Sequence, residues 1–403
     1  MNAEVFQRVA NDCGTPTFVY SETRLRQNIR EVQKAARDAG LGERLQIYAA
    51  YFTNSHPALF RIVAEEGVGA TIQSLEELAQ LDAFGLDKIN KVVSPTALAQ
   101  EDLLQFLERD IPVNISLLEE LEFAFANGKE VGIRIDLSES QDQRTGFKRD
   151  ELDEVRRICV REGREVRALH TYPGTLSAME GLLAHAEKLL AVHHKEFPNV
   201  KELNFGGGFR YEYAAPTRES KHFPWRVYFS QLRSLVDRYQ LPKEVVLSIE
   251  PGRDLFADVG ELLVRVNRVH ARKGVQQVFT DGSYVLMPSA TIRARQHEVR
   301  FFDASFRDYD ERRGNGILNG CTTLSRDYLF PGQVSIPEGL TKGSFVVVKD
   351  IGAYGASQHM EFLNKRPAAE VLLRTNGALE LITERGAETD RIRYALREPR
   401  KLA

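Results

Sequence analysis

The chain is poor in the residues that staple small or secreted folds. Among its 403 residues there are three cysteines, one tryptophan and four methionines. Cys13, Cys159 and Cys321 lie far apart. Their number and spacing exclude a disulfide framework and a zinc-ligand pattern, so no metal is expected and a reducing cytoplasm is. No long apolar run is present, so no membrane span is expected. The opening MNAEVFQRVANDCG is amphipathic and mixed in charge, unlike a signal peptide. An excess of one charge is also missing: the net charge of −3 gives no electrostatic case for a nucleic-acid partner. What is there is ordinary for a globular protein, 42% hydrophobic and 28% charged. The length suggests two domains, or one barrel with a satellite.

Residues 1 to 20 read as a helix, a Gly14-Thr15-Pro16 break and a strand, Thr17 to Tyr20. Ser21 is placed to cap a helix running to Ala39, with Leu25, Ile29, Val32 and Ala35 on one face. Strands are then expected at Leu45–Tyr51, Gly69–Ile72, Lys91–Ser94, Val113–Ser116, Val131–Asp136, Val166–Tyr172, Glu202–Gly206 and Val245–Glu250. Amphipathic stretches such as Leu75–Phe84 and Leu176–Phe197 alternate with them. Eight such units argue for a (β/α)8 TIM-like barrel, with an open doubly wound sheet as the rival. After Gly260 strand-like runs follow without long helices: Glu261–His270, Gln276–Thr280, Gln296–Phe301, Ser344–Lys349, Glu370–Arg374 and Ala378–Ile382. These predict a C-terminal, mostly antiparallel β-domain. The expected division is a barrel over 21–260 and a β-domain from 1–20 and 261–403. The charged tail from Glu384 reads as a solvated terminus.

Chemistry in a barrel sits at the carboxyl ends of the strands. Gly206-Gly207-Gly208 follows the seventh strand, where backbone N–H groups can close on an anion because no Cβ intervenes. Alone, three glycines are also a tight turn; barrel phosphate sites after strands seven and eight favour the anion. Glu250-Pro251-Gly252-Arg253 follows the eighth strand. The first strand runs through Tyr48, Ala49 and Ala50 to Tyr51 and the turn residues Thr53, Asn54, Ser55, His56 and Pro57.

Together these motifs resemble the fold-type III pyridoxal-phosphate (PLP) decarboxylases, the alanine racemase-like barrels of the diaminopimelate, ornithine and arginine decarboxylase branch. The resemblance runs from about residue 15 to 375. It includes the opening Thr15-Pro16, Ser74 with Glu77-Leu78, and Arg144-Thr145-Gly146-Phe147 set against a Ser-Arg-Phe-Gly or Lys-Phe-Gly loop. It also includes Val348-Lys349-Asp350, Gly352-Ala353-Tyr354 and Phe362 to Pro367. It implies that Glu250 faces the cofactor's ring nitrogen and keeps it protonated, and that Gly206, Gly207, Gly208, Gly252, Arg253 and Tyr354 hold the phosphate. It further implies a homodimer with shared sites and a small amino-acid or amine substrate.

The departures are as regular as the matches. The aromatic-Ala-x-Lys pattern, whose lysine forms the imine with PLP, has Tyr51 at the lysine position, and a phenol cannot form an imine. The stacking histidine position holds Tyr172, which keeps a π face but not the same proton. In Gly320 to Asp327 the proton-donating cysteine falls on Thr323, while Ser325 and Asp327 fit and Cys321 lies two positions away. The element that grips the far carboxylate of diaminopimelate falls near Met287 to Thr291, without its Arg and Tyr, though Arg293 and Arg295 lie nearby. Lys91 starts the third strand, the wrong end for a displaced imine. Lys365 is nearest by motif but reads better as a surface lysine. Phosphate holders therefore remain where reacting groups are replaced. The expectation is a divergent decarboxylase-type enzyme that binds PLP noncovalently, or another phosphorylated ligand. Tyr51, Tyr172, Thr323 and Asp327 are its candidate catalytic residues. The alternative is a non-catalytic relative that binds a ligand or regulates an active homologue by dimerisation.

Overall fold

The structure is a computed structural model, and residues 1–96, 98–138, 145–175, 177–309 and 311–386 are described. The tail beyond 386 and Arg144 lie outside the described residues. The chain divides into two compact units, Leu25–Phe256 and Met1–Arg24 with Ala257–Ala403.

Helix α1 (Ala3–Cys13) and strand β1 (Thr17–Ser21) open the chain, and α2 (Glu22–Asp38) follows. The Ser21 hydroxyl accepts from the Arg24 amide at 3.3 Å, the cap that its position predicts. The barrel strands are β2 (Leu45–Ala50), β3 (Gly69–Ile72), β4 (Lys91–Val93), β5 (Asn114–Ile115), β6 (Gly132–Ile135), β7 (Ala168–Thr171), β8 (Glu202–Asn204) and β9 (Val246–Ile249). Between them run α3 (Pro57–Glu65), α4 (Leu75–Ala83), α5 (Gln100–Glu108), α6 (Leu118–Ala126), α7 (Leu152–Glu162), α8 (Met179–Glu196), α9 (Arg218–Lys221) and α10 (Trp225–Arg238), with α11 (Arg253–Phe256) after β9. The eight strands pair in parallel in the order β4-β3-β2-β9-β8-β7-β6-β5. A parallel bridge between Val93 and Val113 brings the two ends together, so the barrel is nearly closed. This is the expected TIM-like barrel, and the open-sheet rival falls. The strands are short and buried on both faces, as a sheet covered by helices requires.

The second unit carries β10 (Gly260–Arg272), β11 (Val275–Thr280), α12 (Pro288–Ile292), β12 (Val299–Phe302), β13 (Arg312–Asn319), β14 (Val334–Pro337), β15 (Phe345–Val348), β16 (Ala369–Leu373) and β17 (Leu379–Thr383). With β1 these form one mixed, mostly antiparallel sheet in which β1 pairs in parallel with β16, and β11 with β13. Phe6 and Val9 of α1 pack on Val19, Leu263, Phe302, Val347 and Val371 to make its core. β13 and β14 were not expected from sequence. β13 is Arg-Arg-Gly-Asn-Gly over most of its length, so neither alternation nor branched residues announce it; partner strands on both sides supply the register. Among the described residues, no helix is long and apolar enough to cross a membrane.

Candidate active site

Polar residues interrupt the apolar strands at the carboxyl end of the barrel. Arg134 lies on β6, His170 on β7, Asn204 on β8 and Thr71 on β3, and Glu250 follows β9 directly. The Asn204 side chain donates to Glu250 Oε1 at 2.8 Å, and its own Oδ1 accepts from the Gly206 amide at 2.8 Å. Asn204 thus ties the carboxylate to the glycine turn. His170 Nε2 is 3.6 Å from the same carboxylate oxygen, beyond hydrogen-bond reach. His170 is 2% exposed, and neither ring nitrogen has a hydrogen-bond partner among the described residues. Arg134 holds its guanidinium carbon 5.5 Å from the centre of the Tyr172 ring. Among the described residues no hydrogen bond engages that guanidinium.

Burial sets the protonation of this cluster. It pushes Glu250 up to about 7, against the pull of Asn204, Arg134 and Thr71, with nearby Glu202 adding to the rise. Burial, helped by the Arg134 charge, holds His170 well below the usual imidazole range, so the ring is neutral at pH 7. Burial also lowers Arg134.

The glycine turn is built for close approach. Gly206 has φ +67°, and a Cβ there would lie 2.2 Å from the Thr171 carbonyl oxygen. A Cβ on Gly207 would lie 2.6 Å from the Glu250 carbonyl oxygen. Glu250 N–H donates to Gly206 O at 2.7 Å, which locks this turn to the Glu-Pro-Gly-Arg segment. Gly252 rests on Thr53 and Ala50, where a Cβ would lie 2.3 Å from the Thr53 hydroxyl. Arg253 opens α11, is 8% exposed and donates to the Tyr213 hydroxyl at 3.0 Å. Beside it Asp254 accepts from Phe223 N at 2.8 Å and from the Trp225 indole at 2.7 Å. These bonds tie the loop after β8 to the loop after β9.

Of the residues singled out from sequence, Gly206, Gly207, Gly208, Glu250, Gly252, Arg253 and Tyr172 gather at this end of the barrel. Tyr172 is half-buried, and its hydroxyl lies 2.9 Å from that of Thr175. Tyr51 occupies the turn after β2 but is fully buried. Its hydroxyl donates to Gln80 of α4 at 2.9 Å, and its ring packs edge-on against Phe60 of α3 at 4.6 Å. Thr323, Asp327 and Tyr354 belong to the other unit. Asp327 is 5% exposed and accepts from the Ser283 hydroxyl, the Tyr284 amide and the Thr322 amide at 2.9, 2.9 and 2.6 Å. Thr323 is exposed and Tyr354 half-buried. Cys321 donates to the Asp281 carbonyl at 3.4 Å. Arg295 is buried on the Ser289 hydroxyl at 2.7 Å, and Arg293 is exposed. Sequence reasoning missed Arg134, Asn204 and Thr71, and left His170 as a mere motif position. Their signal was a polar residue inside an otherwise apolar strand, single in β3 and β6 and one of two in β7 and β8.

The residue types present suit a phosphate-bearing aromatic group such as PLP. A buried imidazole with two orphaned nitrogens beside a titratable carboxyl leaves polar capacity for a ring to meet. The glycine turn and Arg253 offer donors for a phosphate, and Tyr172 offers a stacking face.

No family model matches the chain. The chain is 25% identical, over an alignment 412 positions long, to the diaminopimelate decarboxylase of Methanothermobacter thermautotrophicus, covering 96% of this chain and 92% of that one. It is 26% identical over 394 residues to the enzyme of that name from Pseudomonas aeruginosa, covering 91% and 89%. Among solved structures, diaminopimelate decarboxylase from Methanocaldococcus jannaschii superposes with a TM-score of 0.85 at 21% identity, over 97% of this chain and 94% of that one. Lysine/ornithine decarboxylase from Vibrio vulnificus, solved with cadaverine, superposes with a TM-score of 0.79 at 17% identity, over 92% and 98%. The likenesses agree in kind: the chain is homologous, over nearly its whole length, to the fold-type III PLP-dependent decarboxylases.

Proposed function

We propose that the chain is a PLP-dependent lyase acting on an amino acid or amine, with the cofactor held by Glu250, Gly206, Gly207, Gly208, Gly252 and Arg253 and with no link to position 51. The observation that carries this reading is the polar cluster of Glu250, His170, Asn204 and Arg134 at the carboxyl end of the barrel. Within it the buried His170 ring has no hydrogen-bond partner among the described residues, where a merely structural core would have paired it or replaced it with an apolar side chain. When bound, PLP supplies an electron sink for a carbanion at the substrate's α-carbon. By resemblance Glu250, whose carboxyl is raised to about 7, would face the ring nitrogen, and neutral His170 would add no second positive charge beside it. Tyr172 supplies the ring face, with the Arg134 guanidinium over the phenol. By resemblance, Tyr354 adds a phosphate donor. Thr323 stands in a loop that the same resemblance assigns to the partner subunit of a homodimer. Diaminopimelate is a poor substrate for this chain, because Met287 to Thr291 lack the arginine and tyrosine that would grip its far carboxylate. Three cysteines without a disulfide suit a reducing cytoplasm.

A second reading, a ligand-binding or regulatory relative without activity, is favoured by Tyr51, whose hydroxyl is committed to Gln80 inside the protein. One experiment separates the two. Purified protein is given PLP and then a panel of amino acids and amines, with carbon dioxide release followed. Release on any substrate, lost in Glu250→Ala, supports the lyase. PLP retention with no turnover on the whole panel supports the regulator.

A further inference from the structure

Position 51 has no amine, but the carboxyl end of the barrel has one elsewhere. β6 ends at Ile135, and the returning segment Gly146–Lys148 docks alongside it. Phe147 N–H donates to Arg134 O at 2.8 Å, and Asp136 N–H donates to Phe147 O at 3.0 Å. Gly146 permits this approach: it has φ +106°, and a Cβ there would lie 2.9 Å from the Asp136 nitrogen. The docking sets Lys148 beside Asp136, and the Lys148 ammonium pairs with the Asp136 carboxylate. Glu151 fixes the lysine's backbone by accepting from Lys148 N at 2.6 Å. The Asp136 side chain is 2% exposed and that of Lys148 is 44% exposed, so the amine sits at the rim, over a buried carboxylate.

Asp136 and Arg134 are two residues apart on one extended segment and project to the same side. On that side Arg134 lies over Tyr172 and within the field of Glu250. Lys148 therefore stands at the rim, paired with a carboxylate that acts on Arg134 from the same strand segment. In the Lys-Phe-Gly loop that this segment resembles, glycine follows the phenylalanine; here lysine follows Phe147. Lys148 thus stands two positions after the place that loop gives its own lysine, in a barrel with no lysine at position 51.

We propose that Lys148 supplies the amine that links PLP to this chain. The inference rests on the reading of the chain as a PLP protein. The ammonium gives a proton to solvent, the free amine adds to the aldehyde carbon, a C=N bond replaces C=O, and the aldehyde oxygen leaves as water. No oxidant or reductant is needed. The C=N nitrogen, once protonated, returns a cation to Asp136, so the buried carboxylate is paired before the amine reacts and again in the linked form.

The test uses the full chain. It is incubated with PLP, the absorbance recorded, borohydride added, and the reduced protein digested and mapped by mass spectrometry. The expected result is one phosphopyridoxyl group, on Lys148, lost in Lys148→Arg and retained in Lys365→Arg. Arginine keeps the ion pair with Asp136 and cannot form the link, and the wild-type map alone already decides the assignment if that variant misfolds. PLP absorbance with no reducible adduct, or an adduct on another lysine such as Lys188, Lys221 or Lys365, overturns the role of Lys148 and leaves the PLP reading standing. No retained PLP overturns both.

Discussion

Glu250 and Asp327 are buried carboxylates carried by motifs of the same resemblance, and their surroundings differ. Asp327 accepts from three donors, Thr322 of its own loop and Ser283 and Tyr284 of another. Glu250 has Asn204 and Thr71 against a strong burial cost, and beside it stands an imidazole with no partner among the described residues. A polar group whose capacity is filled by its own chain holds the fold. A polar group left short in a barrel mouth is available for chemistry. Asp327 clamps the 320–327 loop through these bonds, whereas the cluster around Glu250 keeps an imidazole unpaired among the described residues.

The largest effect should come from breaking the satisfied member. Asp327→Ala leaves a hydroxyl and two amides unpaired and should cost about 4 kcal/mol, read by denaturant unfolding. A loss below about 1 kcal/mol would remove Asp327 from the structural side.

The next effect sharpens the other member and depends on pH. Glu250 is raised from its ordinary 4.5 to about 7, so the stability tied to its protonated form is present at low pH and lost as pH rises through that window. His170 is lowered from 6.5, so its contribution is present above that value and lost as pH falls. The two slopes oppose each other in the cofactor-free wild type. Glu250→Gln leaves the imidazole alone, and that variant should weaken as pH falls below 6.5. His170→Leu leaves the carboxyl alone, and that variant should weaken as pH rises from 4.5 toward 7, by roughly 3 kcal/mol. Unfolding at several pH values checks the signs; equal slopes in the two variants would contradict the assignment.

The smallest effect concerns Tyr51. Tyr51→Phe removes one hydrogen bond to Gln80 and should cost about 1 kcal/mol while leaving PLP affinity unchanged. A fall in affinity without a fall in stability would return the phenol to the site.

The barrel was legible because its strands alternate with amphipathic helices, and the strands at Gly69–Ile72 and Leu45–Ala50 stand nearly where the apolar runs end. The Gly206 turn and Glu250 were legible as motifs. The side chains around them were less so. Arg134, His170 and Asn204 converge only after three strands pair in register, and no local pattern carries that information. Tyr51 shows the converse. Its place in the motif was plain, but whether its ring turns inward or packs on Phe60 is decided by the helices outside. β13 escaped notice because tertiary pairing, not propensity, makes it a strand.

The most direct measurement is a PLP titration of wild type and Glu250→Gln between about pH 6 and 9, followed by absorbance and equilibrium dialysis. The account predicts saturable binding of one PLP per chain, with an inflection near pH 7 in the wild type that is absent from the variant. Saturable binding with identical pH dependence in both proteins, or no binding to the wild type, would contradict it.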